Sequence, residues 1–333
     1  MCIELPRGSQ PNSLDLTGSN AMSTLAETLT KCGMKDVNTS RLSARIPIIM
    51  FEFPFELISG FGNRVLQCDV SMHNPLACLN TALLKSYSTI DPRICVLASI
   101  IKLWAKRRNI NDPSHHTLSS YGYIIMLLHF LTKTNSLSTS SQSRSDEFQP
   151  VVPNLQWIDR NSIRKNQYCE ISSKPIKPQF LLRHPREKDF VVNCYFIQPN
   201  DFRSLQWFPS KNLNIGFLLA SFFRYFALEF DYKNHVVSLN SNGLRALIEK
   251  ESKAESDGWK LGTSASILAI EDPFETFYDV AHVLKPSSFQ KVKKEFVYAY
   301  SKIVDIIWKG KFDDANIGNV LLDALCEEVM ETK

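Results

Sequence analysis

The stretch RVLQCDVSMHNPLACLNT, residues 64–81, most constrains the fold, because a short alternating segment runs directly into a helical one. The alternation predicts a half-buried strand with Leu66, Cys68 and Val70 on one face and Asp69 on the opposite, open face. Strands are depleted in Asp, so a carboxylate at this place suits a metal ligand. An aspartate that simply faces solvent at a strand end is the alternative at this point.

The neighbouring segments predict one more strand and several helices. ARIPIIMFEF is apolar and β-branched and is followed by the turn-rich SGFGN, which favours a strand next to the one that carries Asp69. Asn74 as the cap and Pro75 as the first helical residue are typical of a helix start, and Asp91 and Pro92 predict a second helix start in the same way. The second of these helices has an apolar stripe formed by Ile94, Leu97, Ile101 and Trp104. LSSYGYIIMLLHFL and NIGFLLASFFRYFALEF predict two further helices, so the chain is expected to be of the α+β class.

Composition limits the remaining choices. A chain of 333 residues with 44% hydrophobic content is long enough for two domains, each with its own core. The eight cysteines contain no C-x-x-C pair, so neither a zinc knuckle nor a disulfide framework is indicated. No secretory signal and no membrane span is evident, and we expect a cytoplasmic protein.

Charge is concentrated in one segment. Residues 159–189 hold eight basic and four acidic side chains, a surplus equal to the +4 of the whole chain. Trp157, Tyr168 and Phe180 lie in or beside this segment, and basic residues interleaved with aromatics suit a nucleic-acid strand. A solvated insertion explains the same pattern equally well. The Ser-rich residues 135–150 are predicted to form a linker.

Two predicted helices carry groups that suit a triphosphate. Lys102 and Lys106 are four residues apart and therefore project from one helical face, away from the apolar stripe. Ser120 is close to the start of the next helix, where backbone amides favour phosphate. Tyr121 beside it offers a ring on which a base could stack. An ordinary solvated face explains the lysines alone, so the prediction depends on the combination.

These residues carry a family resemblance. NPLACLNT, KLWAKRR, HTLSSYGY and EDPFE together resemble the cytoplasmic poly(A) polymerase and terminal uridylyltransferase family of DNA polymerase β-like nucleotidyltransferases. The likeness extends over roughly Met1 to Lys309. It implies a bilobal α+β enzyme with a nucleotidyltransferase α/β domain and a mainly helical central domain, which adds nucleotides from ATP or UTP to an RNA 3′ end without a template. It also implies Mg²⁺ or Mn²⁺ as cofactor, and an RNA-binding adaptor protein as a further partner.

The resemblance also implies residue roles and domain bounds. Asp69 matches a metal-binding catalytic carboxylate, and Asp272 matches a contact to the base edge. The nucleotide-binding positions of the family correspond to Asn80, Thr81, Lys102, Lys106, Ser120 and Tyr121. The implied domains are residues 1–81 for the truncated nucleotidyltransferase domain, 82–134 and 151–310 for the central domain with a PAP-associated segment at about 214–275, and 311–333 for a tail.

The chain departs from the family at its start. The family places a Gly-Ser turn and an Asp-x-Asp pair before a segment like MCIEL, which here is residues 1–5. Gly8, Ser9 and Asp15 imitate this motif, but no second carboxylate stands two residues after Asp15. We therefore expect an N-terminally truncated, inactive form of the enzyme. A catalytically silent nucleotide- or RNA-binding protein is the alternative, and an oligoadenylate synthetase would not be expected to show EDPFE.

One position bears on base choice. In uridylyl-adding relatives a histidine stands three residues after the last glutamate of EDPFE, and here that position is Tyr278. A phenol donates one hydrogen bond but lacks the cationic character that histidine can add. We expect a modest preference for adenine over uracil.

Overall fold

The computed structural model describes residues 2–3, 19–44, 47–55, 65–72, 75–133, 150–156, 179–183, 189–194, 196–197, 213–240, 247–259, 267–309 and 317–327. The chain divides into two compact units. Unit 1 comprises residues 1–82 and 178–194, and unit 2 comprises residues 83–177 and 195–333.

Unit 1 contains a four-stranded mixed sheet. Its strands are β1 (Cys2–Ile3), β2 (Lys35–Asn38), β3 (Ile49–Pro54) and β4 (Val65–Met72), in the spatial order β1-β4-β3-β2. β1 runs parallel to β4, while β3 is antiparallel to both of its neighbours. Helix α1 (Ser19–Lys31) supplies Met22 and Ala26 to a small core with Ile49. A hairpin of β5 (Gln179–Arg183) and β6 (Asp189–Asn193) belongs to the same unit.

The two predicted strands are confirmed as antiparallel neighbours, but one predicted face is wrong in part. Asp69 is exposed as expected, and Val70 is buried on the opposite face. Leu66, expected on the buried face, is 51% exposed. Val70 lies opposite Ile49, the strand residue that packs with α1, whereas Leu66 is four residues away along β4. Burial of the face therefore follows the reach of the covering helix as well as the alternation.

Unit 2 is mainly helical. The helices described are α2 (Pro75–Ile90, which begins in unit 1), α3 (Arg93–Arg107), α4 (Ser120–Lys133), α5 (Ile215–Arg224), α6 (Lys250–Asp257), α7 (Pro286–Lys309) and α8 (Ile317–Leu325). A π-helical turn, Tyr225–Glu229, follows α5, and a 3₁₀ turn, Pro113–His115, precedes α4. Strands β7 (His235–Val236) and β8 (Ile248–Glu249) form a short antiparallel pair.

Aromatic side chains from four helices build the core of unit 2. Trp104 of α3 is fully buried, and its ring centroid lies 5.8 Å from Tyr123 of α4, 4.9 Å from Phe223 of α5 and 5.0 Å from Phe296 of α7. Such tilted and edge-on arrangements are the favoured geometries of ring pairs. The apolar stripe predicted for α3 is confirmed, and Trp104 is a core residue. Burial of this stripe determines which side of α3 is exposed.

Helix starts follow the predicted polar residues with one shift. α3 begins at Arg93, one residue later than predicted, and the Asp91 carboxylate accepts a hydrogen bond from the Arg93 amide at 3.0 Å. The same carboxylate binds the Arg93 guanidinium, so Asp91 caps the helix and orients its first side chain. Asn214 caps α5 by accepting from the Phe217 amide at 2.7 Å.

Several predicted features fall outside the described residues. These are Asn74, the linker at 135–150 except its last residue, and the basic segment 159–189 except the strand residues 179–183 and 189. Part of the predicted tail, residues 317–325, forms α8. The α+β class is confirmed, whereas the domain bounds stay a prediction. Among the described helices, none has both the length and the apolar character that crossing a membrane requires.

Candidate functional site

The exposed face of α3 carries the two predicted lysines. Lys102 and Lys106 are both exposed, one helical turn apart, while Ile101, Trp104 and Ala105 are buried on the other side. α3 packs against α4 through Trp104 and Tyr123, so the rigid core of unit 2 holds the helix that bears the lysine pair. Two ammonium groups on one face repel each other in water. A polyanion would relieve this repulsion and gain charge-assisted hydrogen bonds from both.

The Ser120 hydroxyl does not take part in capping the start of α4. Ser119 performs the capping, because its hydroxyl oxygen accepts a hydrogen bond from the Gly122 amide at 3.2 Å. Ser120 was predicted close to the helix start and is the first helical residue, where the partial positive charge of the helix is greatest. Ser119 was not identified from the sequence, although a serine just before an apolar helical run is a recognised capping signal.

Tyr121 and Asp272 form the centre of the site. The Tyr121 hydroxyl donates to Asp272 Oδ2 at 3.1 Å, across 151 residues of sequence. Burial, and then the nearby Asp272 carboxylate, raise the pKa of the Tyr121 phenol far above its ordinary value. The phenol therefore stays neutral and keeps its proton for this hydrogen bond. This hydrogen bond holds the hydroxyl end of the Tyr121 ring at Asp272.

The Asp272 carboxylate also organises the loop that follows it. Asp272 is buried, and its Oδ1 accepts from the backbone amides of Phe274 and Glu275, each at 2.9 Å. The Asp272 amide in turn donates to the Tyr278 carbonyl at 3.1 Å. A carboxylate has about four lone-pair sites, so these contacts leave acceptor capacity on the Oδ2 side, where Tyr121 lies. The predicted base contact of Asp272 remains a prediction.

Three side chains from distant parts of the chain hold the loop carbonyls. The Pro273 carbonyl accepts from Gln156 Nε2 at 2.7 Å and from Asn240 Nδ2 at 3.1 Å. The Thr276 carbonyl accepts from the Trp259 indole at 3.2 Å. We call residues 272–278 the base loop. Its three clamping side chains were missed in the sequence, because nothing local to Gln156, Asn240 or Trp259 indicates this contact.

A buried ion pair lies behind the base loop. Lys253 Nζ is 3.0 Å from Glu271 Oε1, also contacts the Asp257 carboxylate, and lies 5.2 Å from the centre of the Trp259 ring. Glu271 is 1% exposed. Burial raises the pKa of its carboxyl, while Lys253 and hydrogen bonds act in the opposite direction. Lys253 therefore links α6 to the base loop through Glu271 and Trp259.

Tyr278, the position linked to base choice, is at the end of the base loop. Its amide donates to the Glu275 carbonyl at 2.7 Å, which closes a tight turn. The Tyr278 ring is half-buried and packs against the His282 ring, with centroids 5.1 Å apart. The backbone of Tyr278 is thus fixed by two hydrogen bonds that do not involve its side chain.

Unit 1 carries the other three predicted residues. Asp69 is exposed on β4, opposite Met50. The Asn80 Oδ1 atom on α2 is buried and has no hydrogen-bond partner among the described residues. The Thr81 hydroxyl donates to the Ala77 carbonyl at 2.8 Å, so its proton is used within the helix and its lone pairs remain.

The donors for a divalent metal are incomplete in the part of the chain that the structure describes. Asp69 is a suitable oxygen ligand for Mg²⁺. No group of three or more His, Cys, Asp or Glu side chains that could hold an ion is found within those residues. The described residues alone therefore do not complete a two-metal centre.

Two family models match the sequence. Residues 214–276 match the model of the Cid1 family poly A polymerase, which covers α5, α6 and most of the base loop. Residues 1–89 match the central palm domain of the mitochondrial-like Poly(A) RNA polymerase model. The first match contains Asp272, and the second contains Asp69, Asn80 and Thr81.

Several known proteins of the same kind are similar to this chain in sequence. Terminal uridylyltransferase cid1 of Schizosaccharomyces pombe is 30% identical over 290 residues, which are 82% of this chain and 60% of the relative. Human Terminal uridylyltransferase 7 is 30% identical over 77% of this chain and 14% of its own length. Xenopus laevis Poly(A) RNA polymerase GLD2-B is 26% identical over 79% of this chain and 41% of its own. The chain thus spans 60% or less of these relatives.

Solved structures show the same fold. A crystal structure of a Cid1 poly(U) polymerase mutant bound to MgATP has a TM-score of 0.66 and 26% identity, over 98% of this chain and 80% of that chain. The structure of Cid1 in complex with the UTP analogue UMPNPP has a TM-score of 0.63 and 27% identity, over 93% and 78%. The fold is that of the nucleotidyltransferase class. The chain belongs to the Cid1 family of poly(A) polymerases and terminal uridylyltransferases.

Proposed function

We propose that the chain is part of a template-independent RNA nucleotidyltransferase, which transfers a nucleotide from ATP or UTP to an RNA 3′ end. The observation that carries the proposal is the Tyr121–Asp272 hydrogen bond next to Ser120. It sets an aromatic ring and a buried carboxylate beside a helix start that favours phosphate. Ring, carboxylate and helix start are what a nucleotide requires for its base and its phosphates.

In this proposal each described residue has a separate task. Lys102 and Lys106 hold the triphosphate, and Ser120 donates to a phosphate oxygen. The Tyr121 ring stacks on the base, which is sequence-tolerant because every base has a π-face. Asp272 accepts from the base edge. Binding of this kind fixes the α-phosphate relative to the attacking hydroxyl, and positioning is a major part of phosphoryl-transfer catalysis.

The same proposal gives a role to each of the three predicted residues of unit 1. Asn80 and Thr81 accept hydrogen bonds from the ribose hydroxyls beside the phosphates. Asp69 supplies one ligand to Mg²⁺ or Mn²⁺, which when bound would lower the charge on the phosphates and activate the RNA 3′ hydroxyl. The RNA 3′ end, an RNA-binding adaptor and a cytoplasmic location belong to the proposal as well.

A tailing assay on the 333-residue polypeptide and on a longer product of the same gene separates this function from a silent nucleotide-binding protein. The 333-residue polypeptide is incubated with a short RNA, Mg²⁺ and either ATP or UTP, and the RNA length is measured. Asp69 is the one family metal ligand among the described residues, and one carboxylate does not hold two divalent ions, so we expect binding of nucleotide but no extension. Extension that Asp69→Ala abolishes would contradict this expectation. If a longer product of the same gene is also unable to extend RNA, the silent alternative holds.

Base preference is tested at Tyr278. We expect ATP to bind slightly more tightly than UTP, and Tyr278→His to shift the ratio of the two dissociation constants toward UTP. A change in shape alone is worth about 10- to 200-fold in discrimination, and a matched polar contact can add more. The ratio is measured by competition of ATP and UTP for one fluorescent nucleotide. Tyr278→Phe, which keeps the ring and loses the hydroxyl, is the matched control.

A strong preference of the unaltered chain for UTP would contradict this assignment of Tyr278. So would a histidine variant whose ratio equals that of the phenylalanine control.

A further inference from the structure

The loop between α3 and α4 is fixed on both sides of Asn111. On one side, the Ile110 carbonyl accepts a hydrogen bond from the Tyr123 hydroxyl at 2.8 Å. On the other, the Asp112 amide donates to Thr117 Oγ1 at 2.7 Å, and the Thr117 hydroxyl donates to the Asp112 carbonyl at 2.9 Å. Neighbours held in this way set the direction in which the Asn111 side chain leaves the backbone.

The rest of the loop is held without the Asn111 side chain. The Asn109 carbonyl accepts from Lys291 Nζ of α7 at 3.0 Å. The Asp112 carboxylate accepts from the Ser114 amide at 2.9 Å and is 2.7 Å from His115 Nδ1. Hydrogen bonds from Ser114 and His115 lower the pKa of Asp112 to about 2. Because these contacts do not involve the Asn111 amide group, its removal is expected to leave the loop intact.

The side-chain amide group of Asn111 forms a hydrogen bond with Ser120. Its Nδ2 donates to Ser120 Oγ at 2.8 Å, and both side chains are partly buried. A hydroxyl that accepts a hydrogen bond keeps its own proton for another acceptor. Ser119, not Ser120, caps α4, so the Ser120 oxygen is not occupied by a backbone amide of the helix start.

We propose that Asn111 is a positioning residue that orients the Ser120 hydroxyl as a donor to a phosphate oxygen of the bound nucleoside triphosphate. This inference rests on the proposed function, which places Ser120 at the triphosphate. It adds a residue with no phosphate contact of its own. Without Asn111 the hydroxyl rotates among several acceptors, and part of its hydrogen-bond energy is lost when it must be ordered on binding.

Two substitutions distinguish orientation from simple packing. Asn111→Ala removes the donor, so the Ser120 proton is free but not directed. Asn111→Asp has nearly the same shape but only acceptors, so the Ser120 proton turns toward the new carboxylate and away from the phosphate. The expected order of ATP affinity is therefore wild type, then alanine, then aspartate. A packing role predicts the reverse order of the two variants, because aspartate fills the same space as asparagine.

The experiment is a double-mutant cycle on ATP and adenosine binding, measured by calorimetry without metal ion. We expect Ser120→Ala and Asn111→Ala each to weaken ATP binding about three- to tenfold, as the loss of one hydrogen bond does, and to leave adenosine binding unchanged. We expect the double variant to be no weaker than Ser120→Ala alone, because Asn111 acts through Ser120. Ser114→Ala, in the same loop, is the control and should match the wild type.

Each other outcome overturns the inference in a recognisable way. If Ser120→Ala weakens ATP binding while Asn111→Ala does not, Asn111 has no positioning role and the proposed function is untouched. Additive losses in the double variant show that Asn111 acts independently of Ser120. If Ser120→Ala itself leaves ATP binding unchanged, both the inference and the proposed phosphate contact of Ser120 are wrong.

Discussion

Replacing Lys102 and Lys106 together by alanine is expected to weaken ATP binding by roughly a hundredfold or more, while adenosine binding changes little. Each lysine would contribute a charge-assisted contact of about 1.5 to 3 kcal/mol to the triphosphate. We place the expected loss at the low end for two such contacts, because both side chains are exposed and solvent screens their charge. Calorimetric titration of the two ligands measures the difference directly.

The matched control for this variant removes the same charge elsewhere. Lys233 and Lys294 are exposed in the same unit, and their joint replacement by alanine should reduce ATP binding only by the small long-range term, which salt screens. Equal loss of ATP and adenosine affinity in the Lys102 and Lys106 variant would mean that the pair supports the fold. Equal loss of ATP affinity in the control variant would mean that net charge, and not a site, attracts the nucleotide.

The second large effect concerns stability. Lys253→Met is expected to lower the free energy of unfolding by about 3 to 5 kcal/mol, because it leaves the buried Glu271 carboxylate without its cation. The side chains of Lys253 and Glu271 are only 6% and 2% exposed, so water cannot replace the lost partner. Urea unfolding monitored by circular dichroism gives the change.

A second substitution shows whether the uncompensated charge is the cause. Glu271→Gln removes that charge with little change of shape, so the variant with Lys253→Met and Glu271→Gln should be more stable than Lys253→Met alone. Glu255→Gln, on the exposed side of the same helix, should change stability by less than about 0.5 kcal/mol. If Lys253→Met costs no more than this control, the ion pair does not support the base loop.

The local sequence pattern was sufficient to predict the main helices and strands and the faces on which several candidate site residues lie. The period of two placed Asp69 on an exposed strand face, and the spacing of four placed Lys102 and Lys106 on the exposed side of α3. Both follow from backbone geometry, which neighbours in sequence determine. Leu66 was misplaced because strand alternation indicates the face on which a residue lies and not whether another element covers that part of the face.

Contacts between distant segments could not be predicted. Asp272 is joined to Tyr121 across 151 residues, and Gln156 reaches Pro273 across 117. A family resemblance marks Asp272 as a base contact, but the residues that hold its loop are set by tertiary packing. The role of Asn111 was equally hidden, since it depends on which of two adjacent serines caps α4. Sequence therefore predicted the candidate ligand contacts, and the structure was needed to identify the residues that hold them in place.

The most direct test of the nucleotide site is photocrosslinking with 8-azido-ATP. Tryptic cleavage after Arg108 and Lys133 releases residues 109–133, the peptide that contains Ser120 and Tyr121. We predict that the label enters this peptide, that excess ATP or UTP displaces it, and that Tyr121→Ala removes it, because the base stacks on that ring. Labelling confined to residues outside this peptide, or labelling that excess ATP does not displace, would contradict the account.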